Sequence, residues 1–133
     1  MNNFENIKFN DLTEEQLDEM TEAQIVNKAL SEYVQEINNH VKAIKACTFH
    51  AIGCLLITLV SIAPFGLYAL LALIPTLFFA YHIFSFKNSM VWHVRSFKST
   101  ASMYNSLGFC DLVSIHKSNI SKNVLIGDFY KVN

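Results

Sequence analysis

The sequence predicts an all-α integral membrane protein: a two-span transmembrane helical hairpin with a long N-terminal cytoplasmic helix, an interfacial C-terminal helix and a short β-hairpin tail. Three observations carry that expectation. From Cys47 to Phe86, forty consecutive residues contain no Asp, Glu, Lys or Arg. A proline and a glycine fall near the middle of that run, in SIAPFG (61–66). On both sides of it, apolar residues recur at the spacing of a helix face.

A single membrane-crossing helix needs roughly 20 apolar residues, so the uncharged run is long enough for two. Pro64 removes a backbone donor and Gly66 supplies a permissive position, which suits a tight connection between them. The central segment 46–86 therefore divides into spans of about 46–63 and 67–86, each close to the length that crosses about 30 Å of hydrocarbon. Pro75, inside the second span, predicts a kink there. The competing reading, a hairpin buried in a soluble shell, needs more covering helices than the flanking residues offer.

The flanks set the orientation. Lys42 and Lys45 precede the first span, Lys87, Arg95 and Lys98 follow the second, and the connection carries no charge. Under the positive-inside rule both termini are cytoplasmic, in a bacterial inner membrane or its equivalent. These five basic residues, with Trp92, are the expected anchors at the membrane interface. The chain opens MNNFENIKFNDL, without the basic and apolar stretches of a secretory signal.

Charge is divided unevenly. Of 133 residues only 16% are charged, below the soluble average of about 25%, and the net charge is −1. Residues 1–36 nevertheless hold nine acids against two bases, and the rest of the chain is correspondingly basic. Basic residues are too few and too scattered for nucleic-acid binding. Opposite charge on the two ends favours contact between them, within or between subunits. Three cysteines make no disulfide framework.

The acidic segment 1–45 reads as helix. Thr13-Glu14-Glu15-Gln16 and Thr21-Glu22-Ala23-Gln24 each have capping-box spacing, which predicts a short helix and then a second start. From Ala23 onward, apolar residues at 23, 26, 30, 33, 37, 44 and 47 follow a heptad. Val26, Leu30, Tyr33 and Ile37 are the candidate interaction residues on that stripe. Ile25, Ala29, Val34 and Val41 widen it, which favours packing on the C-terminal region or a neighbouring subunit over a coiled coil. In segment 87–133, Met90, Val91, Val94, Phe97, Ala101, Tyr104 and Leu107 mark a helix ended by Gly108. Two β-like runs follow, FCDLVSI (109–115) and NVLIGDFYKV (123–132). They make a hairpin that needs support, since two strands alone are marginal.

Candidate chemistry centres on CTFHAIGC (47–54). His50 in the first span and His82 in the second lie about 14 and 18 residues from the turn, so an antiparallel hairpin sets them within about 6 Å in depth. Polar residues at membrane depth raise a functional question. Bis-histidine haem ligation would use His50 and His82; a soft-metal site would draw on Cys47, His50, Cys54 and His82. Cys47 and Cys54 stand two helical turns apart, about 10 Å, too far to share one ion. The reading adopted is structural, with no metal ligand set and no resident cofactor, haem being the one considered. No glycine-rich phosphate loop and no intramembrane carboxylate pair occur, so no enzymatic activity is expected. The expected function is a small accessory or scaffolding subunit that binds membrane or cytoplasmic proteins as a homo- or hetero-oligomer in the lipid bilayer. The alternatives are a holin- or toxin-like permeabilising oligomer and a haem-binding redox subunit.

Overall fold

The computed structural model describes residues 7–18 and 20–120. These are helical almost throughout, with no strand among the described residues. After a 3-10 turn at Phe9–Asp11 come four α-helices: α1 (Glu14–Asp18), α2 (Glu22–Phe65), α3 (Leu73–Ser106) and α4 (Cys110–Ser118). A 3-10 segment, Gly66–Ala72, joins α2 to α3. The chain divides into a terminal unit, Met1–Asn38 with Trp92–Asn133, and a central unit, Asn39–Val91.

Both capping boxes form. The Thr13 N–H donates to Gln16 Oε1 at 3.0 Å and the Gln16 N–H to Thr13 Oγ1 at 3.3 Å. Thr21 and Gln24 repeat the exchange at 2.9 and 3.4 Å. Each pair satisfies two of the donors that a helix start leaves without partners, so α1 stops and α2 restarts at Thr21.

Within the terminal unit, the apolar stripe of α2 is consumed in a core. Val26, Ala29, Leu30, Val34 and Ile37 are buried there with Val94, Phe97 and Ala101 of α3, Val113 of α4 and Ile120. The wide stripe thus does what wide stripes do in globular packing. The end of α3 is a Schellman motif. Gly108 (φ +93°) donates to the Asn105 carbonyl at 3.2 Å, and the Phe109 N–H reaches the Tyr104 carbonyl at 3.0 Å. The Tyr104 and Phe109 rings meet edge-on, 6.4 Å apart, supplying the hydrophobic contact that accompanies this cap.

Three expectations need correction. Residues 109–115 are not a strand but the start of α4. Val113, His116 and Ile120 are the buried positions, spaced i, i+3 and i+7, a helical period in which a histidine takes an inward place. The second run, 123–132, lies outside the described residues. The chain turns at the last residue of SIAPFG: α2 continues through Pro64 to Phe65, and Gly66 has a φ of +55°, which suits a residue without Cβ. The C-terminal helix does not begin anew after the second span. It is the continuation of α3, unbroken from Leu73 to Ser106. Pro75 is the third residue of α3, where a missing N–H has no intrahelical acceptor to lose, so the expected kink has no cause.

In the central unit the two helices run antiparallel. The His40 ring meets Phe86 edge-on at 6.1 Å, and the His50 ring stacks on Phe79 at 5.3 Å, so residue numbers rise on one helix as they fall on the other.

Candidate functional site

Two features of the fold bear on function, one in each unit. In the central unit it is the surface itself. Two helices are long and apolar enough to cross a membrane, and of their most apolar 18-residue windows only 6% and 0% is buried. Phe49, Leu56, Val60, Leu71, Leu77 and Phe84, among others, point their side chains outward. Monomeric soluble proteins rarely expose contiguous apolar patches beyond a few hundred Å². A soluble core hairpin would have these residues inside. Thr58, a polar side chain of this unit, is buried, and its hydroxyl donates to the Cys54 carbonyl at 2.9 Å. That is the way a threonine satisfies itself where water is excluded.

His50 and His82 both belong to this unit, and each imidazole is taken up by aromatic rings. His50 stacks on Phe79 and meets Phe49 edge-on at 6.0 Å. His82 meets Phe78 at 4.4 Å and Phe86 at 5.9 Å. His50 is exposed and His82 half-buried. Cys47 and Cys54 are half-buried free thiols. Of the expected interface anchors, Lys42, Lys45, Lys87, Trp92 and Arg95 are exposed, while Lys98 is half-buried.

The terminal unit holds an open cleft of about 660 Å³. Lys8 and Phe9 border it on one side, Lys28 and Tyr33 come from α2, and Trp92 and Tyr104 come from α3. Its wall is tied by Glu32, which accepts the Phe9 N–H at 2.6 Å and pairs with Lys28 at 3.6 Å. Burial pushes the Tyr104 hydroxyl above its ordinary range, and the neighbouring Tyr33 adds to the effect. The interaction residues read from the stripe are divided between core and cleft. Val26, Leu30 and Ile37 are buried inside the unit, whereas Tyr33 lines the cleft. Docking a separate protein on the first three would require the unit to open.

α4 is pinned on α2 by polar contacts at long sequence range. Nε2 of His116 lies 2.9 Å from Asn27 Oδ1, and Asn38 Nδ2 donates to the Asn119 carbonyl at 3.0 Å. An amide oxygen only accepts, so His116 donates through Nε2. His116 is buried, which lowers its pKa. A strand over 109–115 leaves His116 outside any element; the signal for its inward place is the helical series 109, 112, 113, 116 and 120.

No family model, curated protein or solved structure matches this chain.

Proposed function

We propose that the protein is a small two-span integral membrane protein, an accessory or scaffolding subunit that holds a compact helical unit, built from both ends of the chain, at the cytoplasmic face of the membrane. One observation carries this reading: the two apolar helical windows are almost wholly uncovered by the chain itself. Water is a poor solvent for such a surface and hydrocarbon a good one, while the helical backbone needs no partner outside its own ladder. Lysines before the first span, Lys87 and Arg95 after the second, and an uncharged connection support cytoplasmic termini. The accessory role follows from the terminal unit, whose exposed cleft and charged surface suit contact with membrane or cytoplasmic proteins, in homo- or hetero-oligomers.

The test is expression in a bacterial inner membrane with reporters fused in turn to each terminus, followed by alkaline extraction. Resistance to extraction, with both reporters in the cytoplasm, is the expected result. Gentle solubilisation and identification of co-purifying proteins then test the accessory role. A soluble protein would overturn the membrane reading. Collapse of the membrane potential on expression would replace the scaffold with the permeabilising oligomer.

A further inference from the structure

We propose, on the strength of the membrane reading above, that the connection Gly66–Ala72 is itself embedded in lipid. It completes the second crossing among the acyl chains of the far leaflet, and the hairpin presents no loop to the water beyond. The two legs of the hairpin are unequal. α2 is uncharged over residues 47–65, which at about 1.5 Å per residue is about 28 Å, close to the ~30 Å of a hydrocarbon core. α3 is uncharged only over residues 73–86, about 21 Å, and falls about 9 Å short. The 3-10 segment between them has seven residues and rises about 2 Å per residue, about 14 Å in all. Counted into the second leg, it brings that crossing to about 35 Å. Left outside as a loop, it would draw Lys87 below the headgroups, where a charged side chain is costly.

The side chains agree with the lengths. Turns that stand in water are built from Gly, Pro, Asn, Asp and Ser. Residues 62–75 contain no Asn, Asp or Ser, and Tyr68 carries the one side-chain hydrogen-bonding group among them. Leu67 and Tyr68 are 82% and 80% exposed, and Leu70, Leu71 and Ile74 also point outward. A tyrosine just past the turn suits the far interface, with its ring among acyl chains and its hydroxyl among headgroups. The backbone meets the same condition. Irregular loops do not face hydrocarbon, because their N–H and C=O groups would lack partners, whereas a 3-10 ladder supplies its own. The Leu73 N–H reaches the Leu70 carbonyl, so the ladder passes from 3-10 into α3 without a gap. Runs of 3-10 helix beyond three or four residues are uncommon, and a seven-residue run is the form expected of a turn that has no water to bond. A hairpin closed in this way gives partners nothing to grip from the far side.

The test uses the full-length chain in a bacterial inner membrane, with its cysteines replaced (Cys47→Ala, Cys54→Ala and Cys110→Ser). One cysteine is then returned at a time, as Leu70→Cys or Leu71→Cys. A polar insert carrying one cysteine, placed between Gly66 and Leu67, is the reference for a loop in water, and every variant is first taken through alkaline extraction. Maleimides react with the thiolate, which does not form in hydrocarbon. A membrane-impermeant maleimide added from the far side is expected to label the insert and to leave Leu70→Cys and Leu71→Cys unlabelled until detergent dissolves the bilayer. A second readout needs no thiol. Leu71→Trp in a Trp92→Phe background, reconstituted in vesicles, should be quenched by bromine on the acyl chains and not by iodide present on both sides. Labelling of either cysteine as fast as the insert, or iodide quenching of Leu71→Trp, in protein that resists extraction would overturn the embedded connection and leave the membrane reading standing. Release of the parent chain by alkali would overturn both.

Discussion

Replacing Leu56 by arginine separates a membrane-embedded hairpin from any soluble arrangement of the same helices. Leu56 lies near the middle of the first uncharged run and is 57% exposed. In a soluble protein, exchanging an exposed leucine for arginine changes stability by no more than about 0.5 kcal/mol and improves solubility. In a bilayer the same change removes a contribution of about −0.5 kcal/mol and adds one of about +3, a penalty near 3.5 kcal/mol at the helix centre. Each 1.36 kcal/mol is tenfold, so the insertion equilibrium falls by about 300-fold. Val60 is one turn further on and also exposed. The pair Leu56→Arg/Val60→Arg should therefore reach about 7 kcal/mol, enough to expel a strongly apolar segment even where the single change leaves it inserted. The assay is a translocation reporter carrying residues 46–63, with alkaline extraction of the full-length variants alongside. Progressive loss of insertion from parent to single to double variant is the expected result. If both variants fractionate as the parent does and melt within a degree or two of it, these side chains do not face lipid.

Further predictions concern the terminal unit and the turn. Phe97 is almost wholly buried, so Phe97→Ala should cost about 3–5 kcal/mol, read as a lower Tm in detergent. Thr21→Ala removes a formed capping box and should cost about 1 kcal/mol, seen as fraying of the first turn of α2 by amide exchange. Gly66→Ala forces a Cβ into the left-handed region at about 1–2 kcal/mol, and Gly66→Asn should cost less because asparagine tolerates that conformation. The pH dependence follows from His116. Its folded pKa lies below the unfolded value of about 6.5, so the unfolded chain binds more protons and stability falls as pH drops below that value. Melting between pH 7.5 and 5 should show the loss, and His116→Gln should abolish that part of the slope while keeping a donor for Asn27.

Much of this architecture is legible in the residues. An uncharged run of forty residues admits few other readings, and the two Thr-x-x-Gln boxes announce helix starts that the backbone then makes. Gly108 was readable for the same reason, since an apolar helical series followed by glycine is what a Schellman cap requires. What escaped was continuity. Lys87 and the polar residues after it look like an exit from lipid and a new helix. A helix crosses such a compositional border without breaking, because its hydrogen bonds are indifferent to the solvent beside it. α4 was misread because FCDLVSI mixes alternation with helical spacing in a window too short to decide between them. The decisive member of its series is a histidine, counted as polar. The Asn27–His116 contact lay beyond reach for another reason: nothing local in a sequence says which turn of one helix meets which turn of another.

The construction of the terminal unit from both ends of the chain has a consequence for biosynthesis. The residues that cover Val26, Leu30 and Ile37 are supplied from Val94 onward, and the Asn27–His116 contact closes a loop of 89 residues. During translation the first stretch of α2 must wait, with its apolar stripe uncovered, until both apolar segments and most of α3 have left the ribosome. If the two apolar segments enter a membrane, as proposed, insertion precedes folding, and closure of so long a loop slows the second step. In that interval the nascent chain offers a sticky helix to chaperones and to other copies of itself. A chain that lacks Val113 and Ile120 would remain in that state, because α4 and the residues just past it supply the last buried side chains of this core among the described residues.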